Sequence, residues 1–170
     1  MSSVNVNPRL RTLSEALELR KEDVEAALDV ADSVYRDQEK TIFSSEGSSG
    51  GESWTPLSPN YEKWKKKAFP GRKILALSGA MRTAFSSSGA GHIAYVFKSS
   101  SWRIVMGATG PAYWKYHAEG GFVRGRPPKR DPQTRSSKDR SKLVEAVERG
   151  LLPRVMRGLR ISVRVGAGGS

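Results

Sequence analysis

GHIAYVFKSSSWRIVMGA, residues 91–108, decides whether this chain is all-helical or mixed. Apolar and polar residues alternate over His92–Lys98 and again over Trp102–Gly107, and three serines separate the two runs. Period-2 alternation on both sides of a short polar link is the signature of a β-hairpin. Outward from it, the period lengthens. Residues 12–43 place Leu13 and Leu17 one turn apart, then Val24, Ala27, Leu28, Ala31, Val34, Tyr35 and Ile42 near a 3.6 repeat, with Thr12 or Ser14 as a cap. SSKDRSKLVEAVERG repeats the pattern with Leu143, Val144 and Val147, a Ser136 or Ser137 cap and Gly150 as its stop. The pattern predicts an α+β fold: a long N-terminal helix and a C-terminal helix packed on a small, mostly antiparallel sheet, with long flexible loops. At 170 residues the chain is read as one domain.

Between these elements the composition shifts. Residues 44–53, SSEGSSGGES, read as a mobile Gly/Ser loop or tip. In WTPLSPNYEKWKKKAFPGRK two prolines postpone a helix until Pro59, and NYEKWKKKAF then makes two turns. ILALSGAMRTAF is an apolar entry followed by a short helix capped by Ser78, and PAYWKYH is a candidate short strand or sheet edge. Residues 124–141 form a basic, proline-broken loop longer than a simple connection needs. Residues 151–170 are a C-terminal extension, in which LRISVRVG alternates as a candidate last strand before a GAGGS tail.

The charge is unevenly spread. The net value is +12, yet residues 1–50 hold 6 Lys and Arg against 10 Asp and Glu, a net −4, while residues 51–170 hold 23 against 7, a net +16. Such a field favours a polyanion or an acidic protein surface as neighbour; a solvated basic surface without a dedicated partner is the alternative. The absence of cysteine removes thiol chemistry, disulfides and Cys-containing zinc sites. MSSVNVNPRL lacks an apolar run, and no stretch approaches the length of a membrane span, so a soluble protein made in a cytoplasm is expected.

No spacing in the chain carries a catalytic mechanism. The two histidines, His92 and His117, stand in no GxSxG or HExxH arrangement, and no GKS or GKT makes a phosphate loop. Glu119 can orient His117, but a nucleophile and base need a third group. The expectation is therefore no enzyme, no metal and no cofactor, with His117 bracing a turn through a backbone hydrogen bond as the chain leaves a strand. Gly120 and Gly121 would allow backbone angles barred to other residues. Trp54, Tyr61, Trp64, Tyr113 and Tyr116 are expected to hold the loops. Lys65, Lys66 and Lys67 beside Trp64, and Arg124, Arg126, Lys129 and Arg130 around Pro127 and Pro128, are expected to touch DNA or a neighbouring subunit, the latter group as a stiff contact arm.

Several fragments, in this order, carry a resemblance: Gly50-Gly51 with Trp54, Pro56, Leu57, Ser58 and Pro59; Leu75, Ser78, Gly79, Met81 and Arg82; Tyr113, Tyr116, His117 and Gly120; and Arg126, Pro127 and Pro128. Over residues 10–150 the chain resembles the virion morphogenesis (tail completion) family of tailed bacteriophages, related in organisation to head-tail joining proteins. The run differs from the family's after Pro128, where Lys129-Arg130-Asp131 replaces an aromatic and a small apolar turn. The resemblance implies a non-enzymatic virion component of the neck. Its expected form is a homo-oligomeric ring, a hexamer. Its partners would be portal or connector-adaptor and tail-terminator or tail-tube proteins, with genomic DNA in the channel as a non-specific contact. A tail terminator capping the tube and a DNA-binding packaging accessory are the alternatives.

Overall fold

A computed structural model describes residues 19–120 and 128–162. Its order is α1 (Lys21–Ser44), a 3-10 turn (Ser48–Gly50), α2 (Pro59–Ala68), α3 (Ala80–Ser86), β1 (His92–Lys98), β2 (Trp102–Ala108), α4 (Trp114–Glu119) and α5 (Ser137–Ser162). The strands form a two-stranded antiparallel sheet on which helices pack, so the mixed α+β class and the hairpin stand as expected. The described chain divides into two compact units, one made of Tyr35–Ile93 and Gly107–Arg140, the other of the chain up to Val34, Ala94–Met106 and the chain from Ser141.

In the second unit, Leu19, Val24, Ala27, Leu28 and Ala31 are buried with Ile104 and Met106 of β2 and with Leu143, Ala146, Val147 and Leu151 of α5. The start of α1 is set by local chemistry. Arg20 donates its amide to the Asp23 carboxylate (3.1 Å), and Glu22 and Asp23 place negative charge on the first turn. The Trp102 indole N–H donates to Leu19 O (2.9 Å), which ties the hairpin to the segment before the helix.

Helix α5 starts where the sequence puts it: the Ser136 hydroxyl accepts from Asp139 N (3.1 Å) and donates to the Asp139 carboxylate (2.7 Å). It does not stop at Gly150, and it runs through Pro153 to Ser162. The apolar stripe explains the difference, because Leu151 continues the buried row of Leu143, Ala146 and Val147. Gly150 serves close approach instead of termination: a Cβ there would lie 2.5 Å from Ala27 Cα, inside contact distance of the backbone of α1. Leu159–Ser162, expected in a last strand, are thus helical, and the rest of LRISVRVG lies outside the described residues.

The first unit has an aromatic core. Ile42, Phe43, Trp54, Met81, Ala84, Phe85 and Ala108 are buried together, with Ile74, Leu75 and Trp114 packed against them. Phe43 meets Trp54 edge-on (5.3 Å) and Phe85 at a tilt (6.1 Å), and Phe85 meets Trp114 edge-on (6.0 Å). Such pairs add about 0.5–1.5 kcal/mol each beyond area burial. Trp114 reaches this core from a helix, which corrects the expectation of a strand over PAYWKYH. The run closes helical turns of its own, with the Trp114 ring set against Phe85. The Ser78 hydroxyl accepts from Ala80 N (3.3 Å) as a cap should, although Gly79 occupies the N-cap position of α3.

Candidate functional site

The site is built on the first unit around α2 and the two irregular segments beside it. Ser58 in an extended conformation and Pro59 at the first helical position start α2, and Lys65, Lys66 and Lys67 occupy its last turn, where positive charge suits the carbonyl end of the helix. The four lysines of NYEKWKKKAF are not equivalent. Lys65 is 4% exposed and gives its ammonium to Lys73 O (2.5 Å). Burial holds its pKa below the usual lysine value, with Arg130 lowering it further and Glu46 opposing. Lys65 is an internal clamp, which corrects its assignment to a contact edge; it faces inward because the helix turns it 100° from Trp64 and Lys66. Lys63 and Lys67 are exposed, and Lys66 pairs with Glu62 one turn back (2.7 Å).

The aromatics divide in the same way. Trp54 is buried, and its indole N–H donates to Asp131 O (3.4 Å), a link between its own segment and the loop before α5. Tyr61 and Trp64 are 42% and 49% exposed and lie outside the buried aromatic core. Trp64 lies between Tyr61 (5.2 Å) and Phe69 (5.7 Å), which makes an uncovered row of three rings. Beside the row is an open groove of about 280 Å³ whose lining includes Trp54, Pro56, Lys66, Phe69 and Arg72.

The Gly/Ser segment is anchored at its start and middle, while Ser48 and Gly51–Ser53 are exposed. The Glu46 carbonyl accepts from Trp54 N (2.8 Å), the Glu46 carboxylate accepts from Ile74 N (2.8 Å), and Gly50 is buried. One glutamate thereby pins two loops. It stands alone among Ser and Gly, so nothing in its neighbourhood signalled that role.

Part of the basic loop is turned inward. Arg130 is buried, donating Nε to Thr55 O (2.7 Å), Nη2 to Pro56 O (2.9 Å) and its amide to His117 O (2.7 Å). It is a brace between loops, not a contact residue, because those carbonyls offer a buried guanidinium the acceptors that it needs. Lys129 is exposed, whereas Arg124, Arg126 and Gly121 lie outside the described residues. His117 sits on α4, half-buried, with Tyr113 edge-on at 6.3 Å. Its Nδ1 is buried without a hydrogen-bond partner, so the bracing that it supplies runs through its backbone carbonyl. Burial first, and the Arg130 charge second, hold its pKa below the usual value, which leaves the ring neutral at pH 7. Tyr116 on the same helix and Tyr113 at its N-cap are exposed.

Gly120 meets its expectation. It ends α4 at φ 62°, ψ −170°, a region open essentially to glycine, and a Cβ there would lie 2.6 Å from Lys129 N and Cα. Gly120→Ala is expected to destabilise the chain by about 2–4 kcal/mol, the sum of strain and overlap. Urea denaturation measures it, and a change below about 0.5 kcal/mol would contradict this geometry.

A buried polar cluster escaped the sequence reading. Glu39 on α1 and Arg135 form an ion pair with both side chains almost fully buried, and the Arg135 guanidinium lies 4.8 Å from the centre of the Tyr35 ring. Burial pushes the Glu39 carboxyl up to about 7 against the pull of Arg135 and Tyr35, and it raises the Tyr35 hydroxyl as well. The available signal was positional: Glu39 follows Tyr35 by four residues, on the apolar stripe of α1.

Among the described residues no three His, Asp or Glu side chains gather as a metal site, and no helix is long and apolar enough to cross a membrane. No protein-family model, no curated protein and no solved structure matches this chain.

Proposed function

We propose that the chain is a structural subunit of a phage-like particle, which completes the tail or joins it to the head and works as a ring. The observation that carries the reading is that each compact unit has its own uncovered aromatic cluster set among cations. The first unit has Tyr61, Trp64 and Phe69 with Lys63, Lys66 and Lys67. The second has Tyr95 and Phe97, ring to ring at 6.1 Å, with the Arg103 guanidinium 5.8 Å from the Phe97 ring. Large aromatics left in water mark contact surfaces, and a ring subunit needs more than one of them. The ordered motifs of tail completion proteins point the same way, and several of their residues, Trp54, Pro56, Met81, His117 and Gly120, serve here to pin loops and core.

Native mass spectrometry of the purified chain, alone and with isolated tails or connector complexes, tests the reading. The expected result is a closed ring, or a monomer that binds those particles stoichiometrically. A monomer that ignores both overturns it. A terminator would be seen by cryo-EM on the tail tube, and a joining protein between tube and connector. A packaging accessory would bind duplex DNA tightly as a lone subunit with a steep salt slope.

A further inference from the structure

We infer that the exposed face of α2 binds single-stranded nucleic acid, with Trp64 as the stacking platform. The proposal goes beyond the ring reading: it names the occupant of the first unit's aromatic cluster and leaves Tyr95, Phe97 and Arg103 of the second unit for subunit contact. Trp64 is half uncovered and continues on both sides into exposed rings, Tyr61 at 5.2 Å and Phe69 at 5.7 Å. Such a row is costly to leave in water and offers flat faces to unpaired bases. The charge around it is of one dominant sign. Lys63 and Lys67 are exposed, Lys66 and Arg72 line the adjoining groove of about 280 Å³, and the two carboxylates there already have partners: Glu62 with Lys66, Glu46 with the Ile74 amide. Lys65, whose ammonium is spent on Lys73 O, takes no part.

Cations interleaved with rings separate this occupant from its rivals. A duplex would engage the lysines through its phosphates but hides its base faces, so the aromatic row would add nothing. An acidic protein surface would also engage the lysines, yet it offers no flat groups at the spacing of successive bases. No sequence readout is implied, since stacking tolerates every base.

The test is fluorescence anisotropy with the full chain and a 5′-labelled oligothymidylate, a duplex of equal length and labelled poly-glutamate. The single strand is expected to bind at least tenfold more tightly than either of the others. Trp64→Ala should weaken that binding about tenfold or more, and Trp64→Phe should restore part of it. Lys66→Gln with Lys67→Gln should lower the slope of log K against log salt by about 1.4 in magnitude. Because all three side chains are exposed, thermal melts should be unchanged and report that the variants are folded. Equal or tighter binding to duplex, preference for poly-glutamate, an unaltered affinity in Trp64→Ala, or no binding to the oligothymidylate would each overturn the proposal, and ring formation is read separately by native mass spectrometry.

Discussion

Arg135→Ala destabilises the chain by about 3–5 kcal/mol in chemical denaturation, the largest loss expected from any single exchange outside the aromatic core. The exchange leaves Glu39, which has no exposed surface, without its cation, and it also removes the guanidinium from the Tyr35 ring. The Glu39 Oε2 and Arg135 Nε atoms lack hydrogen bonds even in the native pair, so the pair is not an optimal one. A double exchange, Glu39→Leu with Arg135→Met, should therefore recover most of the loss. If Arg135→Ala alone cost less than about 1 kcal/mol, the burial of this pair would be wrong.

The same carboxyl makes stability depend on pH. Burial raises it from an unfolded value of about 4.3 to about 7 in the folded chain, so the folded state holds the proton more tightly. The stabilisation is complete below about pH 4 and is lost as pH rises through about 7, an effect on the order of 3–4 kcal/mol. Many other carboxylates titrate in the acid range, so the informative quantity is the difference between the native chain and Glu39→Gln. Between pH 5 and 8 the native chain should lose stability relative to that variant; parallel curves would refute the assignment.

Trp54→Ala should cost about 3–5 kcal/mol, and Trp64→Ala no more than about 0.5 kcal/mol, although the two tryptophans stand ten residues apart in the same aromatic-rich stretch. Trp54 fills the core against Phe43 and gives its indole N–H to Asp131 O, so truncation opens a cavity and removes the donor from a half-buried carbonyl. Trp64 is half uncovered, and the rings beside it, Tyr61 and Phe69, are themselves exposed. Urea titrations of the two variants give the comparison directly. Equal losses would mean that Trp64 is covered in solution, by a second copy of the chain or by a rearranged α2.

What could be read along the chain was what depends on near neighbours. The hairpin followed from alternation about three serines, α1 from its 3.6 repeat, and the start of α5 from Ser136 and Asp139, all interactions that close within a few residues. The Gly120 turn belongs to the same class, since its backbone angles exclude other residues locally.

Burial was decided elsewhere. Gly150 looks like a helix stop until α1 lies 2.5 Å from where its side chain would be. Lys65 and Arg130 look like solvated cations until the carbonyls of Lys73, Thr55 and Pro56 converge on them from other segments. Trp54 and Trp64 have the same chemistry, and only the packing around Phe43 buries one and leaves the other in water. By itself the sequence determined the local elements, the mixed class and the sign of the surface charge. The tertiary structure decided which charged and aromatic side chains remain free to meet a partner, because desolvation depends on atoms brought together from distant parts of the chain.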